Sequence, residues 1–196
     1  MDRTLRIAVI SLAANTAFSA YYFVFGILSA SWWLLTLGFY YLMLSLIRFV
    51  VLRSKRQERF IARFTGVMLM ILSVPLIGTV ILSVVRDRGQ RLHMIVMIAI
   101  AAYAFTKITL ATINLIRSRH SISARFVTLR NISFAEAFVS IFALQRSMLV
   151  SFEGMTESEI VIMNASLGSA VSVIVFLMGV NLLRRKKILF HQLDHM

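Results

Sequence analysis

Cysteine is absent from this chain of 196 residues, and charged residues make up only 15% of it. The missing thiols exclude disulfide frameworks, thiol nucleophiles and thiolate metal sites. Acidic residues are scarce, with 8 Asp and Glu against 21 Lys and Arg. The pattern His-Glu-x-x-His does not occur, and Asp stands only at positions 2, 87 and 194. Hydrolysis by paired carboxylates or by a bound metal is therefore unsupported.

The residues that are present are mostly apolar. Hydrophobic residues make up 59% of the chain and its mean hydropathy is +0.84, whereas roughly 45–50% apolar content is usual in soluble domains. This composition predicts a membrane protein and nearly excludes soluble enzymes and nucleic-acid modules. A formal charge of +13 would suggest nucleic acid in a soluble protein, but here the basic residues lie between apolar runs. We therefore expect the lipid bilayer as the partner, and no nucleic acid.

Long apolar segments define the predicted fold. A helix needs about 20 apolar residues to cross the roughly 30 Å hydrocarbon layer of a bilayer. Six segments meet this requirement, which predicts an all-α integral membrane protein with one transmembrane domain over residues 1–196. The predicted spans are about 7–29, 31–52, 64–85, 93–116, 130–152 and 160–183. Apolar sequence in the first span continues to Leu28 beyond a signal-peptide-like stretch at 17–20, so we interpret that span as a retained helix.

The loops alternate in charge and predict an orientation. Fifteen basic residues flank the spans on the side of the two termini, whereas the opposite side has three, Arg86, Arg88 and Arg91. The positive-inside rule then places both termini in the cytoplasm. The basic segment 53–63 could lie as a short helix on the inner leaflet and bind anionic lipid. The alternative, which we favour, is a solvated loop whose charges only set the orientation.

The two halves of the chain show similarities that suggest an inverted repeat. Arg48 lies 17 residues after the start of the second predicted span, and Arg146 lies 16 residues after the start of the fifth. Three helices in each half would place the halves in opposite orientations, as in many secondary transporters. The alternative is chance, because any two sets of three apolar helices share some features.

Four ionisable residues fall within the predicted spans: Arg48, Lys107, Glu136 and Arg146. Such residues are costly at membrane depth unless they are paired or hydrated, so they are candidates for function. Counted from the cytoplasmic helix ends at about 1.5 Å per residue, Arg48, Glu136 and Lys107 lie roughly 6, 9 and 13 Å deep, which allows them to meet. Arg146 lies roughly 24 Å deep, in the outer part of the membrane.

Small and polar residues recur at helical spacing on five of the spans and predict inward faces. These stripes supply the remaining substrate-binding candidates, which are Asn15, Tyr41, Tyr103 and Asn164. The third span shows no comparable stripe, but Pro75 at its centre predicts a kink or a freed carbonyl. Packing is the alternative explanation for the stripes, since small and hydroxylated residues are the normal contact surface of membrane helices.

The charges at membrane depth have two interpretations. A buried pair of Lys107 and Glu136 could fix helix register, or it could bind a substrate. Arg48 either extends its side chain to the inner interface or gives the site a surplus positive charge. A surplus cation favours an anionic partner. We therefore expect a small anion to stabilise the protein, and Lys107 to be needed for that effect.

Catalytic and cofactor sites are not predicted. The four histidines, at positions 93, 120, 191 and 195, lie in loops, at span ends or in the tail. Gly168-Ser169 has no histidine at membrane depth to act as its base. We expect no enzyme activity, no catalytic residue, no metal site and no cofactor.

Three stretches of sequence resemble a group of small six-helix membrane proteins of Gram-positive bacteria whose activity is uncharacterised. The stretches are Ser31-Trp32-Trp33, Phe39-Tyr40-Tyr41 with Arg48-Phe49, and the run from Arg130 to Met148. The resemblance implies a bacterial plasma membrane. Six spans with Ala13-x-x-x-Ala17 also resemble the substrate-binding subunits of energy-coupling-factor vitamin transporters, although the short first outer loop departs from their long lid.

The sequence thus supports two functional hypotheses. The first is a six-helix bundle, monomeric or homo-oligomeric, that transports a small anionic or zwitterionic solute alone or as a transporter subunit. The second is a non-transporting protein that assembles with or regulates a partner membrane protein, with its polar stripes serving as packing surfaces.

Overall fold

Six α-helices account for nearly all of the described chain. The computed structural model describes residues 3–54, 58–85, 94–118, 124–151 and 155–193. The helices are α1 (Arg3–Leu28), α2 (Trp32–Arg53), α3 (Glu58–Val85), α4 (Met94–Ser118), α5 (Ala124–Ser151) and α6 (Glu157–Leu193). Each helix corresponds to one of the predicted spans, with ends that agree to within one residue or extend beyond the predicted ends.

The α1–α2 connection is a tight helical hairpin. Ser31 N–H donates to the Gly26 carbonyl at 2.9 Å and Ala30 N–H to the Ile27 carbonyl at 3.2 Å. This pair of bonds is the Schellman pattern that satisfies the last carbonyls of a helix. Ala30 occupies its left-handed position with φ of 48°, where glycine is usual. The turn brings α2 back along α1, so that these two helices pack over their lengths.

Helix α6 begins with a capping box. The backbone N–H of Thr156 donates to Glu159 Oε2 at 2.8 Å, and Glu159 N–H donates to the Thr156 hydroxyl at 3.4 Å. These reciprocal bonds satisfy donors that have no partner within the helix. Glu157 and Glu159 in the first turn also complement the positive end of the helix dipole.

Five of the six helices are long and apolar enough to cross a membrane. Their apolar windows are Val9–Leu28, Trp32–Arg53, Phe60–Ile81, Phe126–Leu149 and Glu157–Arg184. The described apolar part of α4, Met97–Ile113, is shorter. It holds 17 residues, or about 26 Å of helix.

Apolar side chains lie both in the core and on the outer surface, whereas the predicted polar stripes face inward. Large hydrophobic side chains such as Ile27, Ile98 and Ile162 are exposed on the outer surface. The inward orientation of the stripes is confirmed wherever their residues are described. The stripe residues are Ser11, Asn15, Ser19, Tyr22 and Gly26 on α1, and Ser133, Glu136, Ser140, Ala143 and Ser147 on α5. An apolar exterior with polar residues buried behind it is compatible with a membrane protein.

Helix α3 buries hydroxyl side chains although the sequence shows no polar stripe on the third span. They are Thr65, Ser73 and Thr79. Ser73 and Thr79 donate to carbonyls of their own helix, Met70 and Leu76, at 2.6 Å each. Because these hydroxyls are satisfied locally, they can face a neighbouring helix without a polar partner on it. The helix runs without interruption through Pro75.

The surface helix considered for 53–63 is not a separate element. Residues 58–63 are the first part of α3, with Ile61 buried and Phe60 exposed. Arg53 ends α2, and residues 55–57 lie outside the described part of the chain.

Glycines allow α3 and α6 to approach closely. A Cβ atom on Gly66 would lie 2.9 Å from the Gly179 carbonyl oxygen, and one on Gly179 would lie 2.7 Å from that of Gly66. Small residues permit this backbone contact between helices in an apolar medium. The most extensive helix pairs are α3 with α6, α1 with α2, and α4 with α5. The bundle therefore consists of two hairpins and one long crossing pair.

Candidate functional site

Glu136 on α5 lies at the centre of a buried charge cluster. Its Oε1 atom is 3.0 Å from Arg48 Nη2 on α2, and its Oε2 atom is 2.9 Å from Lys107 Nζ on α4. All three side chains are at most 2% exposed. The prediction that these residues meet is confirmed.

Two polar residues of α1 complete the coordination of the carboxylate. Asn15 Nδ2 donates to Glu136 Oε1 at 2.5 Å, and the Ser11 hydroxyl donates to Oε2 at 3.4 Å. The Lys107 ammonium donates to the Ser11 hydroxyl at 3.2 Å and also to Asn15 Oδ1. The carboxylate thus receives four contacts, about as many as its lone pairs can accept.

The aromatic rings of Tyr103, Phe18 and Tyr41 pack together beside the cluster. The Tyr103 hydroxyl donates to Asn15 Oδ1 at 2.8 Å, and its ring lies 5.2 Å from the Lys107 ammonium. The same ring stacks on Phe18 at 3.7 Å and meets Tyr41 edge-on at 5.3 Å. Contact between an ammonium and a desolvated aromatic face contributes about 2 kcal/mol. Tyr103 therefore helps to hold the buried Lys107 in place.

Serines of α5 anchor the side chains of α2. Arg48 Nη2 donates to the Ser133 hydroxyl at 3.0 Å, and the Tyr41 and Ser140 hydroxyls are 2.8 Å apart. Ser133 and Ser140 each also donate to the carbonyl four residues earlier. Neither serine was among the predicted site residues. Their signal was present, because they share the Glu136 stripe at spacings of three and four.

The cluster carries a net charge of +1 from two cations and one carboxylate. Burial of an ion is costly unless it is paired, and one carboxylate cannot neutralise both cations. The cluster is also closed, since its charged side chains are almost inaccessible to solvent. Its unbalanced charge is therefore sealed inside the bundle.

The contacts of the cluster join the two halves of the chain. Helices α1 and α2 supply Ser11, Asn15 and Arg48, whereas α4 and α5 supply Lys107 and Glu136. The Arg48–Glu136 ion pair therefore stabilises the association of the halves. The Lys107–Glu136 pair lies within the second half, and Lys107 contacts the first half through Ser11 and Asn15 of α1. Separating the halves would expose the charged groups.

Arg146 and Asn164 lie apart from the cluster. Arg146 is ten residues after Glu136 on the same helix, or about 15 Å along its axis. Its guanidinium lies over the Trp33 ring at 4.3 Å. Gln145 Nε2 donates at 3.3 Å to the carbonyl of Met163, the neighbour of Asn164 on α6. Six of the eight predicted substrate-binding residues thus come together, and these two do not join them. Glu153, an acidic residue in the loop after α5 that the sequence places toward the same side as Arg146, lies outside the described residues.

A group of three or more potential metal ligands does not occur among the described residues. No known protein family model matches the sequence, and no curated protein is significantly similar to it. The two family resemblances stay predictions.

Proposed function

We propose that the chain spans a bacterial plasma membrane six times, with both termini in the cytoplasm. The apolar exterior of the helices supports insertion, and α4 would be the shortest span. The excess of basic residues at the loops on the terminal side supports the orientation. The bacterial location rests on the resemblance alone.

We also propose that the two halves are an inverted repeat. The packing of α1 on α2 corresponds to that of α4 on α5, and α2 on α3 to α5 on α6. Helix α3 packs on its counterpart α6, as expected near a two-fold axis. The contact between α3 and α5 departs from this symmetry, because the equivalent helices α6 and α2 make no comparable contact.

Reciprocal contacts of the α3–α6 crossing give finer support to the repeat. A Cβ atom on Gly66 would contact Leu182 at 3.3 Å, and one on Gly168 would contact Val80. Gly168 lies 102 positions after Gly66, and Leu182 lies 102 positions after Val80. The Gly168–Val80 contact is therefore equivalent to the Gly66–Leu182 contact with the two halves exchanged. Such reciprocity is what a two-fold relation requires.

The function that we propose is transport of a small anionic or zwitterionic solute through the charge cluster. The observation that carries this proposal is the net positive charge sealed between the halves. A bundle that only packs its helices gains little from a second cation beside one carboxylate. A site that accepts an anion uses that cation when the solute binds. Movement of one half against the other would open the site to one face at a time.

A ligand panel tests this proposal on the purified wild-type protein. Small carboxylates, phosphates, zwitterions, amines and neutral solutes are added separately while thermal unfolding is followed. An anion or zwitterion that binds the folded state should raise the midpoint temperature of unfolding. The gain in the free energy of unfolding should follow RT ln(1 + [L]/Kd) as the ligand concentration rises. The amines and neutral solutes should leave it unchanged. A panel in which no negatively charged group stabilises the protein contradicts the proposal.

The competing function is assembly with, or regulation of, a partner membrane protein. The complete burial of Arg48, Lys107 and Glu136 favours it, because a permanently closed cluster would only fix the register of four helices. Isolation of the protein from its native membrane in mild detergent distinguishes the two. Stoichiometric recovery of a second membrane protein, together with a negative ligand panel, would favour assembly.

A further inference from the structure

The three charged groups of the cluster differ in the hydrogen-bonding capacity that they retain. The Lys107 ammonium has three N–H donors, and three acceptors surround it: Ser11 Oγ, Asn15 Oδ1 and Glu136 Oε2. Glu136 likewise accepts four contacts. Neither group has capacity left for a solute unless an existing bond breaks.

Arg48 retains most of its capacity. A guanidinium has five N–H donors, and Arg48 contacts Ser133 and Glu136 through Nη2. The Nε and Nη1 atoms are buried and have no hydrogen-bond partner among the described residues. Buried donors without acceptors are destabilising, and more so when they belong to a charged group. This cost would be relieved by an acceptor brought from outside the chain.

A second unused donor lies on the same face of α2. Ser45 precedes Arg48 by three residues, so the two side chains are neighbours on the helix surface. The Ser45 hydroxyl is buried and makes no hydrogen bond with the described residues. It differs in this from Ser133 and Ser140, which donate to their own helix.

We propose that Arg48 and Ser45 form the subsite for one monovalent oxyanion, a carboxylate group, with Lys107 acting as the partner of Glu136 rather than as a ligand. This inference rests on the proposed function and adds the ligand atoms and the charge limit. One negative charge neutralises the net charge of +1, whereas a second would again leave the buried site charged. A guanidinium and a hydroxyl are suitable donors for the two oxygens of a carboxylate.

The charge limit is tested with propionate and succinate on the wild-type protein at neutral pH. Propionate carries one negative charge and succinate two, and both are small aliphatic carboxylates. The apparent Kd from thermal shifts should be at least about tenfold lower for propionate, which corresponds to about 1.4 kcal/mol. Equal affinities, or stronger binding of succinate, would overturn the monovalent assignment.

The ligand atoms are tested by substitutions that conserve charge. Arg48→Lys keeps the net charge but removes the spare donors, so it should weaken propionate binding about tenfold or more. Arg146→Lys makes the same change on α5 outside the cluster and should bind as the wild type does. Ser45→Ala should weaken binding several-fold without removing a charge, which keeps the test informative if Arg48→Lys does not fold.

The outcomes separate this inference from the proposed function. Wild-type binding of propionate that survives both Arg48→Lys and Ser45→Ala would overturn the subsite and leave the transport proposal standing. If no anion, propionate included, stabilises the wild type, the proposed function fails and the subsite fails with it.

Discussion

Replacement of Glu136 by Gln should be the most destabilising conservative change in the cluster. The variant keeps the shape of the side chain but leaves Arg48 and Lys107 without their carboxylate, at a net charge of +2. Loss of one partner of a buried ion pair costs about 3–5 kcal/mol. Neutral hydrogen bonds between membrane helices average only about 0.6 kcal/mol, with a maximum near 1.7 kcal/mol. The charged contacts should therefore dominate the stability of the cluster.

A matched control separates charge from hydrogen bonding. Tyr41→Phe removes the neutral bond to Ser140 in the same region, and we expect a loss of about 0.6 kcal/mol. Both variants are unfolded by sodium dodecyl sulfate in mixed micelles and followed by circular dichroism. A Glu136→Gln variant that loses no more stability than Tyr41→Phe would refute the reasoning.

A double substitution measures the coupling directly. Lys107→Met together with Glu136→Gln restores the net charge to +1, so its loss should be smaller than the sum of the two single losses. Coupling energies of neighbouring residues are about 0.5–3 kcal/mol, and we expect the upper part of this range. Losses that simply add would mean that the two side chains do not stabilise each other.

Three further predictions concern packing, topology and an unused hydroxyl. Gly66→Ala should cost about 1–3 kcal/mol of stability because its Cβ atom would meet the α6 backbone. The control Gly78→Ala, which has open space around it, should be neutral or stabilising. Equal effects of the two variants on thermal stability would contradict the close crossing of α3 and α6. In the cysteine-free background, Glu157→Cys should react with an impermeant thiol reagent from outside the cell and Ser54→Cys should not, and the reverse labelling would refute the orientation. Tyr40→Phe removes a buried hydroxyl that has no partner among the described residues, so unfolding should show no loss of stability; a loss above about 1 kcal/mol would mean that the hydroxyl is bonded.

The spacing of polar residues was sufficient to predict the inward faces of the helices. Residues three or four positions apart share a face, and at helix faces directed toward lipid a polar side chain would find no partner. Depth arithmetic also predicted the meeting of Arg48, Lys107 and Glu136, because a helix converts residue number into distance along the membrane normal. These features follow from the periodicity of each helix alone.

The arrangement of partners could not be predicted in the same way. Which helices are neighbours depends on packing between distant segments, as the Gly66–Gly179 crossing illustrates. The sequence predicted that Lys107 is needed for anion binding, because two cations accompany a single carboxylate. Only the three-dimensional contacts reveal that its donors are already used and that Arg48 retains some. The buried hydroxyls of α3 were missed because they follow no strict stripe; Ser73 and Thr79 bond to carbonyls of their own helix instead.

The account depends most directly on a cluster that opens to both faces of the membrane. Ser45→Cys places a thiol beside Arg48 in a chain with no other cysteine, and Ser172→Cys places one at a buried position on α6 outside the cluster. Both variants are treated with a small, impermeant anionic thiol reagent in vesicles of each orientation. We predict that the Ser45→Cys variant reacts from both sides, more slowly when propionate is present, and that the Ser172→Cys variant reacts from neither. A Ser45→Cys variant that is as unreactive as Ser172→Cys from both sides would contradict transport through this cluster.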